Sequence, residues 1–506
     1  MRARVRAEVP LLLQSRRLPP LRRLTRVVGS VGTALGTWYL KERGGPKSRP
    51  ALSRRLRQSF ERLGSTYVKL GQIVSSGDGL FPEELVAEFK LLRDHVPAES
   101  FDDVRELVER ELGRPLSDVF SRFDEEPLAA ASIAQVHAAT LQTGEEVVVK
   151  VQRPTVASLV RTDIAAMAWL APRLVGRIPV TALANPPALI ELFAETIVEE
   201  LDFRLEAENM LDIARVLAST NQRAIVVPRP HPTLVTRRVL VMERLRGFAF
   251  DDVAAMKAAG IDTTALLRAG LISFLEGALI FGVFHGDLHG GNLFVMPDGR
   301  TALLDYGITG RLDDRKRIAF LRLLVMGTSG DVRGQLQALR DMGAFPPDTD
   351  LEAVVVDLEL EGPVKDPTRM TADELTVELR EITKKLLGYG ARAPKELMLF
   401  VKNMLFLDSA TGALAPELDI LGEIAHVYTY FSEHYGERIA QDLGLDPSVP
   451  VTLDLASVRA SFGIADPIDE LTYEDVRRRR EIIRRRMSER RDRPGYGGAS
   501  GTRPVA

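Results

Sequence analysis

Helical spacing of apolar residues runs through most of the chain, and strand-like patterning is confined to three stretches. Leu52, Leu56, Phe60, Leu63 and Tyr67 share one face, which predicts a helix over 51–69 with Arg54, Arg55, Arg57, Glu61 and Arg62 opposite. A second helix starts at Pro82-Glu83-Glu84, where proline and acids suit a helix N-terminus, and a third spans 101–112 before Gly113 and Pro115. Strands are expected over 119–126, 133–140 and 146–152. Helices follow over 156–174 and 187–217, then strands over 224–227 and 234–245 with a proline-bounded link at 228–232. The chain is helical in pattern from 251 to 282. After the third strand-like stretch come helices over 311–326, 331–342, 375–387 and 395–411.

That third stretch organises the rest. Apolar runs 293–296 and 301–304 flank Pro297-Asp298-Gly299-Arg300, which reads as a β-hairpin. A hairpin brings its two ends together, so Asp287, Asn292 and Asp305 converge. Two carboxylates and an amide are oxygen ligands that suit a hard cation such as Mg²⁺. Lys150 stands in the middle of the apolar strand Val147-Val148-Val149-Lys150-Val151, where a charge is costly without a partner or ligand. Glu199, Asp202, Glu206 and Asn209 are spaced to share a helical face, which is either a solvated acidic face or one that a cation meets. Lys69 and Lys150 are the candidate partners.

Net charge is −3, which gives no overall nucleic-acid signature. The chain has no cysteine, which excludes disulfides, thiolate metal sites and dithiol redox chemistry and is consistent with a cytoplasmic setting. The first forty residues are basic, with Arg2, Arg4, Arg6, Arg16, Arg17, Arg22, Arg23 and Arg26. The other end carries a dense arginine cluster from Arg477 to Arg493, followed by a Gly/Pro/Ser-rich segment of disordered composition. Residues 27–40 are apolar and small but short of the ~20 needed to span a bilayer, and no other stretch is expected to span. The basic ends are candidate contacts for an anionic membrane, with a solvated terminus as the equal alternative.

The Asp-x-x-x-x-Asn spacing of Asp287 and Asn292, followed across a hairpin by Asp305-Tyr306-Gly307, resembles the catalytic and metal loops of protein kinases. More specifically, several stretches resemble the UbiB/AarF-type atypical kinases. They are Tyr67 to Gln72, Leu128 to His137, Val147 to Pro154, Glu200-Leu201-Asp202, Glu206 to Asn209, His285 to Asn292, and Asp305 to Gly307. The resemblance implies a two-lobed α+β kinase-like fold with an N-terminal helical extension packed over the cleft. It divides the chain into a basic segment 1–50, the extension 51–114, an N-lobe 115–245, a helical C-lobe 246–435 that carries the catalytic and metal loops, and a C-terminal region 436–506 ending in a basic tail.

It also implies roles. Lys150 contacts nucleotide phosphates and pairs with Glu206, and Asp287 orients or deprotonates the acceptor. Asn292 and Asp305 hold Mg²⁺. Ala129, Ala130, Ala131 and Ser132 replace a Gly-rich phosphate loop. Met242, Glu243 and Leu245 form a hinge for an adenine. Lys69 and Gln72 belong to a regulatory extension reaching Glu200 and Asp202, with Lys69 swinging on Gly71. The implied cofactors are ATP or ADP with Mg²⁺. The implied activity is an ATPase or small-molecule kinase in isoprenoid-quinone or membrane-lipid metabolism, peripheral at the membrane, with a lipid or quinone intermediate as candidate partner. A soluble phosphotransferase of the aminoglycoside or choline-kinase type, and a nucleotide-binding scaffold without turnover, are the alternatives.

Overall fold

The computed structural model describes residues 7–13, 20–43, 48–75, 82–92, 98–174, 186–220, 222–362, 367–391, 394–446, 453–461, 464 and 471–491. It forms two compact units, Met1–Phe250 with His285–Thr309, and Asp251–Phe284 with Gly310–Ala506. The mixture of helix and sheet is that of a kinase-like α+β fold.

The first unit opens with helices α1 (Val9–Leu13), α2 (Leu21–Lys41), α3 (Ser48–Leu63), α4 (Ser65–Ser75), α5 (Glu83–Phe89), α6 (Phe101–Leu112) and α7 (Leu116–Val119). Strands β1 (Phe120–Phe123), β2 (Ala129–Ala130), β3 (Ala134–Leu141) and β4 (Glu146–Gln152) follow. Next come α8 (Val156–Leu174), α9 (Pro186–Glu200) and α10 (Phe203–Ser219), then β5 (Ile225–Val226), β6 (Pro230–Val235), β7 (Val239–Glu243) and β8 (Phe248–Ala249). The main sheet runs β1-β3-β4-β7-β6, antiparallel throughout, with β2 paired to β3. Val147, Val149 and Val151 of β4 bury one face of this sheet against Val104, Leu107 and Val108 of α6. A second core joins Leu63, Tyr67 and Leu70 to Val160 and Ile164 of α8 and to Phe193 and Ile197 of α9.

Several expectations need correction here. The helix expected over 187–217 is two helices. The chain breaks at Leu201-Asp202, and Asp202 caps α10 by accepting from the Arg204 N–H at 3.2 Å. The link expected at 228–232 is mostly strand, and the turn falls at Thr236 to Arg238. Gly71 is no pivot: α4 runs straight through it. A Cβ there would come within 2.3 Å of Leu92 Cδ1, so this glycine lets α4 approach the α5 region closely. Arg23 is not a surface cation, because it is buried against Asp163 of α8 and donates to the Leu63 carbonyl at 2.6 Å. The loop 76–81, Arg2 to Arg6, Arg16, Arg17 and the segment 494–506 lie outside the described residues.

After β9 (Val283–His285), the expected hairpin is present as β10 (Leu293–Val295) and β11 (Thr301–Leu303), in register Leu293↔Leu303, with Gly299 at a positive φ in the turn. These strands extend a small sheet ordered β5-β11-β10-β8.

The second unit is helical. It contains α11 (Val253–Ala258), α12 (Thr263–Leu275) with a π-helical turn over Glu276–Ile280, α13 (Asp314–Thr328), α14 (Val332–Asp341), α15 (Leu351–Asp357) and α16 (Ala372–Gly388). Then come α17 (Lys395–Leu414), α18 (Ile420–Leu443), α19 (Leu455–Ser461) and α20 (Tyr473–Arg491). Most of the C-terminal arginines ride on α20, where Arg480 pairs with Asp408 of α17. The expectation that no further stretch could span a bilayer fails, because Thr263–Ile280 and Lys395–Leu414 are long and apolar enough. Arg268, Glu276, Lys402 and Asp408 interrupt these runs and hid them. Buried core helices pass the same test, and the first of these is mostly buried.

Candidate functional site

All the candidate residues lie in the first unit. Strand alternation decides where Lys150 points: with its valine neighbours facing α6, it takes the other face of β4. There its Nζ lies 2.7 Å from Glu206 Oε1 on α10 and 3.4 Å from Asp305 Oδ2. Asp305 lies two residues beyond the end of β11, and its Oδ1 accepts from the Gly307 N–H at 2.8 Å. Glu206 also accepts from the Tyr306 N–H at 3.4 Å, and Asn209, one turn further on, donates to the Tyr306 carbonyl at 2.7 Å. One face of α10 therefore holds both Lys150 and the Asp-Tyr-Gly turn.

Lys69 on α4 lies 3.0 Å from Glu200 at the end of α9. Asp202 is not its partner. That carboxylate is turned to Arg204, 2.6 Å from Nη2.

The electrostatics tie the two lysines together. Burial opposes the charge of Lys150, but Asp305 and Glu206 outweigh it and hold the ammonium above its ordinary range. Lys69 is likewise raised against burial by Glu200, Asp287 and Asp305. Asp305 is held well below the ordinary carboxylate range: loss of solvent pushes it up, and Lys150, the Gly307 N–H and Lys69 overcome that. Burial pushes Glu200 and Glu206 up, and the lysine beside each pulls back.

Among the described residues no three His, Cys, Asp or Glu side chains form a metal cluster. Mg²⁺ carried on a nucleotide needs no such cluster, since one or two protein oxygens suffice when phosphates and water complete the octahedron. Asp305 fits that demand, because its carboxylate keeps nearly half its surface exposed. Asn292 fits it too: its main-chain carbonyl accepts from the Leu304 N–H at 2.9 Å, one residue before Asp305, and its side-chain amide nitrogen donates to the Asp287 main-chain carbonyl at 3.3 Å.

Comparison with known proteins gives the family. The ABC1 atypical kinase-like domain matches residues 91–339. An uncharacterized aarF domain-containing protein kinase of Arabidopsis thaliana, described as chloroplastic, is 32% identical over 72% of this chain and 72% of its own. The chain belongs to the ABC1 (UbiB/AarF) atypical kinase family. It is 33% identical to a probable protein kinase UbiB of Marinobacter nauticus, over 73% of this chain and 69% of that one. An uncharacterized protein of Mycobacterium tuberculosis is 37% identical over 73% of this chain and 76% of its own.

The alanine-rich segment and the strand end expected to hold a nucleotide also lie in this unit. The alanine-rich segment is a tight turn between β2 and β3, with the Ala131 N–H donating to the Ala134 carbonyl at 2.8 Å. Arg153, directly after β4, pins it by donating from Nε to the Ala131 carbonyl at 2.9 Å and pairing with Glu99 at 3.0 Å. At the expected hinge, Met242 is buried in β7. The Glu243 and Arg244 N–H groups are taken by the Arg229 and Glu146 carbonyls. The Leu245 main chain makes no hydrogen bond to any described residue. Gln72 is half-buried on α4, beyond Lys69.

Sequence reasoning missed the role of His285. Its Nε2–H donates to the Asp305 carbonyl, and its Nδ1 accepts from the Asp287 N–H at 3.1 Å. One neutral imidazole thus fastens the two loops together, and burial lowers its pKa in keeping with that tautomer. Gly286 makes room beside it, since a Cβ there would lie 2.7 Å from Ile308 Cγ2. The available signal was a histidine two residues before the aspartate of the catalytic-loop spacing. Arg153 was also missed, although an arginine following a buried strand beside the alanine loop was there to question.

Proposed function

We propose that this protein binds Mg-ATP or Mg-ADP in the first unit and acts as an ATPase or small-molecule kinase at a lipid surface rather than as a protein kinase. The observation that carries this reading is the convergence of Lys150, Glu206 and Asp305 beside Asn292 and Asp287. In it, Lys150 holds nucleotide phosphates and is itself oriented by Glu206. Asp305 and Asn292 are the protein oxygens for Mg²⁺, which supplies charge neutralisation at the phosphates when bound. Asp287 orients or deprotonates the acceptor hydroxyl or water. The Ala129 to Ser132 turn covers the phosphates in a form stiffer than a glycine loop, and the free Leu245 main chain takes the adenine edge. Catalysis of this kind is positioning plus electrostatics.

Lys69 and Gln72 are the regulatory part. With Lys69 ion-paired to Glu200 and within the field of Asp287 and Asp305, α4 stands where a polypeptide acceptor would approach. This supports a small or membrane-borne acceptor, for which the family setting in isoprenoid-quinone and lipid metabolism offers candidates. Peripheral membrane contact has one support of its own: Leu21, Val28, Leu35 and Tyr39 form an exposed apolar stripe along α2, beside exposed Arg22 and Arg26.

The test is ATP turnover by the purified chain with and without anionic liposomes. Turnover stimulated by liposomes supports the reading. Turnover indifferent to them, with phosphate passing to a soluble acceptor, points to the phosphotransferase alternative. Nucleotide binding with no turnover in any condition leaves a scaffold.

A further inference from the structure

We propose that an apolar cavity within the helical unit is a binding site for a long-chain lipid with an uncharged polar head. The cavity measures about 730 Å³ and lies among α12, α13, α17 and α18. That volume falls within the ~300–1,000 Å³ of small-molecule sites. Leu271, Leu275, Leu324, Met404, Ile424 and Val427 line it, and each keeps part of its surface exposed. Each of these helices also buries residues in the protein core, such as Phe274, Phe320, Ala410 and Leu421. Helices that have already buried one face and leave a second apolar face lining a void have a surface for another apolar group.

The charges on the wall select the head group. Arg268 is taken up by Glu423 at 2.7 Å, and Asp408 by Arg480. Glu437 has no cationic partner among the described residues and accepts only from Gln441. An anionic head would therefore meet repulsion with no spare cation to offset it. The exposed Ser432 hydroxyl, unbonded among the described residues, offers a neutral head a hydrogen bond.

The route of entry is suggested by α17. Phe400, Met404, Leu407 and Thr411 face the cavity, while Val401 and Leu405 on another face are exposed. A helix apolar on both its cavity side and its outer side suits contact with a lipid phase. The same helix is long and apolar enough to lie in one.

Nile red, a neutral solvatochromic dye, tests the site on the full chain. Saturable binding is expected, with displacement by hexadecanol or geranylgeraniol and displacement by palmitate about tenfold weaker or worse. The two alcohols distinguish an acyl from an isoprenoid occupant. Leu275→Trp fills the cavity and should weaken dye binding by about tenfold. Met404→Gln keeps the volume, places an amide in the apolar wall and should weaken hexadecanol by about fivefold, which serves if the tryptophan variant does not fold. No saturable binding by the native chain would overturn the proposal. So would unchanged affinity in a folded variant, or palmitate competing as well as hexadecanol. Concentration-dependent dimerisation abolished by Leu275→Trp, without dye binding, would assign the face to a second copy and overturn it equally.

Discussion

Lys150 and Lys69 are both enclosed lysines beside a buried glutamate, at 2.7 and 3.0 Å, but they are held by different kinds of structure. Lys150 sits in the middle of a sheet, its strand paired on both sides through Val136 and Leu240. Lys69 rides on an eleven-residue helix whose place depends on side-chain packing against its neighbours. A cation built into a sheet core moves only if the sheet opens, whereas one on a short packed helix can be withdrawn by local rearrangement. One carboxylate serves both, since Asp305 raises both lysines. The difference fits one permanent cation for the nucleotide and one removable cation over the acceptor side.

The largest effect is expected at the permanent cation. Lys150→Met leaves Glu206 buried and Asp305 without its closest ammonium. Removing one partner of a buried pair costs roughly 3–5 kcal/mol where the pair is fully enclosed. Asp305 is partly exposed, so the lower end is expected in denaturant titration, with loss of ATP turnover by about 100-fold or more. Turnover within a few-fold of the native rate would break the distinction at its stronger side.

His285→Ala comes next. It leaves the Asp305 carbonyl and the Asp287 N–H without their shared partner, and each unsatisfied group costs roughly 1–3 kcal/mol. Turnover should fall about 10- to 100-fold with a smaller change in nucleotide affinity, because the loops lose alignment rather than charge. Equal loss of both would mean that His285 holds the fold rather than the alignment.

Lys69→Ala should act in the opposite direction. Incorporation of radiolabel from γ-labelled ATP into the protein should rise several-fold, about 1 kcal/mol in barrier terms. Strong labelling of the native protein with no gain in the variant would remove the gating role and make the two lysines equivalent.

The smallest effect is with pH. His285 and His137 are both lowered by burial. As pH falls below their ordinary value of about 6.5, the unfolded chain takes up protons that the folded chain refuses, so stability drops. Each group contributes up to about 1.4 kcal/mol per pH unit between 6.5 and its folded value. Urea midpoints from pH 7.5 to 5.5 should decline, and His285→Ala should flatten part of the slope. An unchanged slope in that variant would show that His285 does not titrate as described.

The charged cluster was legible because its sequence signals are local and costly. A lysine inside a valine strand needs a partner, and a hairpin turn fixes which polar residues meet. Asp202 was misread because periodicity alone treats 187–217 as continuous, while Asp202-Phe203 is an N-cap that restarts the helix. Gly71 could signal a pivot or a close contact, and only the position of Leu92 decides. The α18 helix, 24 residues long, went unread because histidine, serine, tyrosine and glycine blur its apolar face. The cavity was illegible for a general reason: leucines facing a void have the same spacing as leucines facing a core.

The central claim is that Asp305 is the protein's anchor for Mg²⁺ on a bound nucleotide. Calorimetric titration of ATP into the native chain and into Asp305→Asn, each with and without Mg²⁺, tests it directly. The account predicts Mg²⁺-dependent binding by the native chain and loss of that dependence in the folded variant. Mg-ATP affinity unchanged in Asp305→Asn would contradict it.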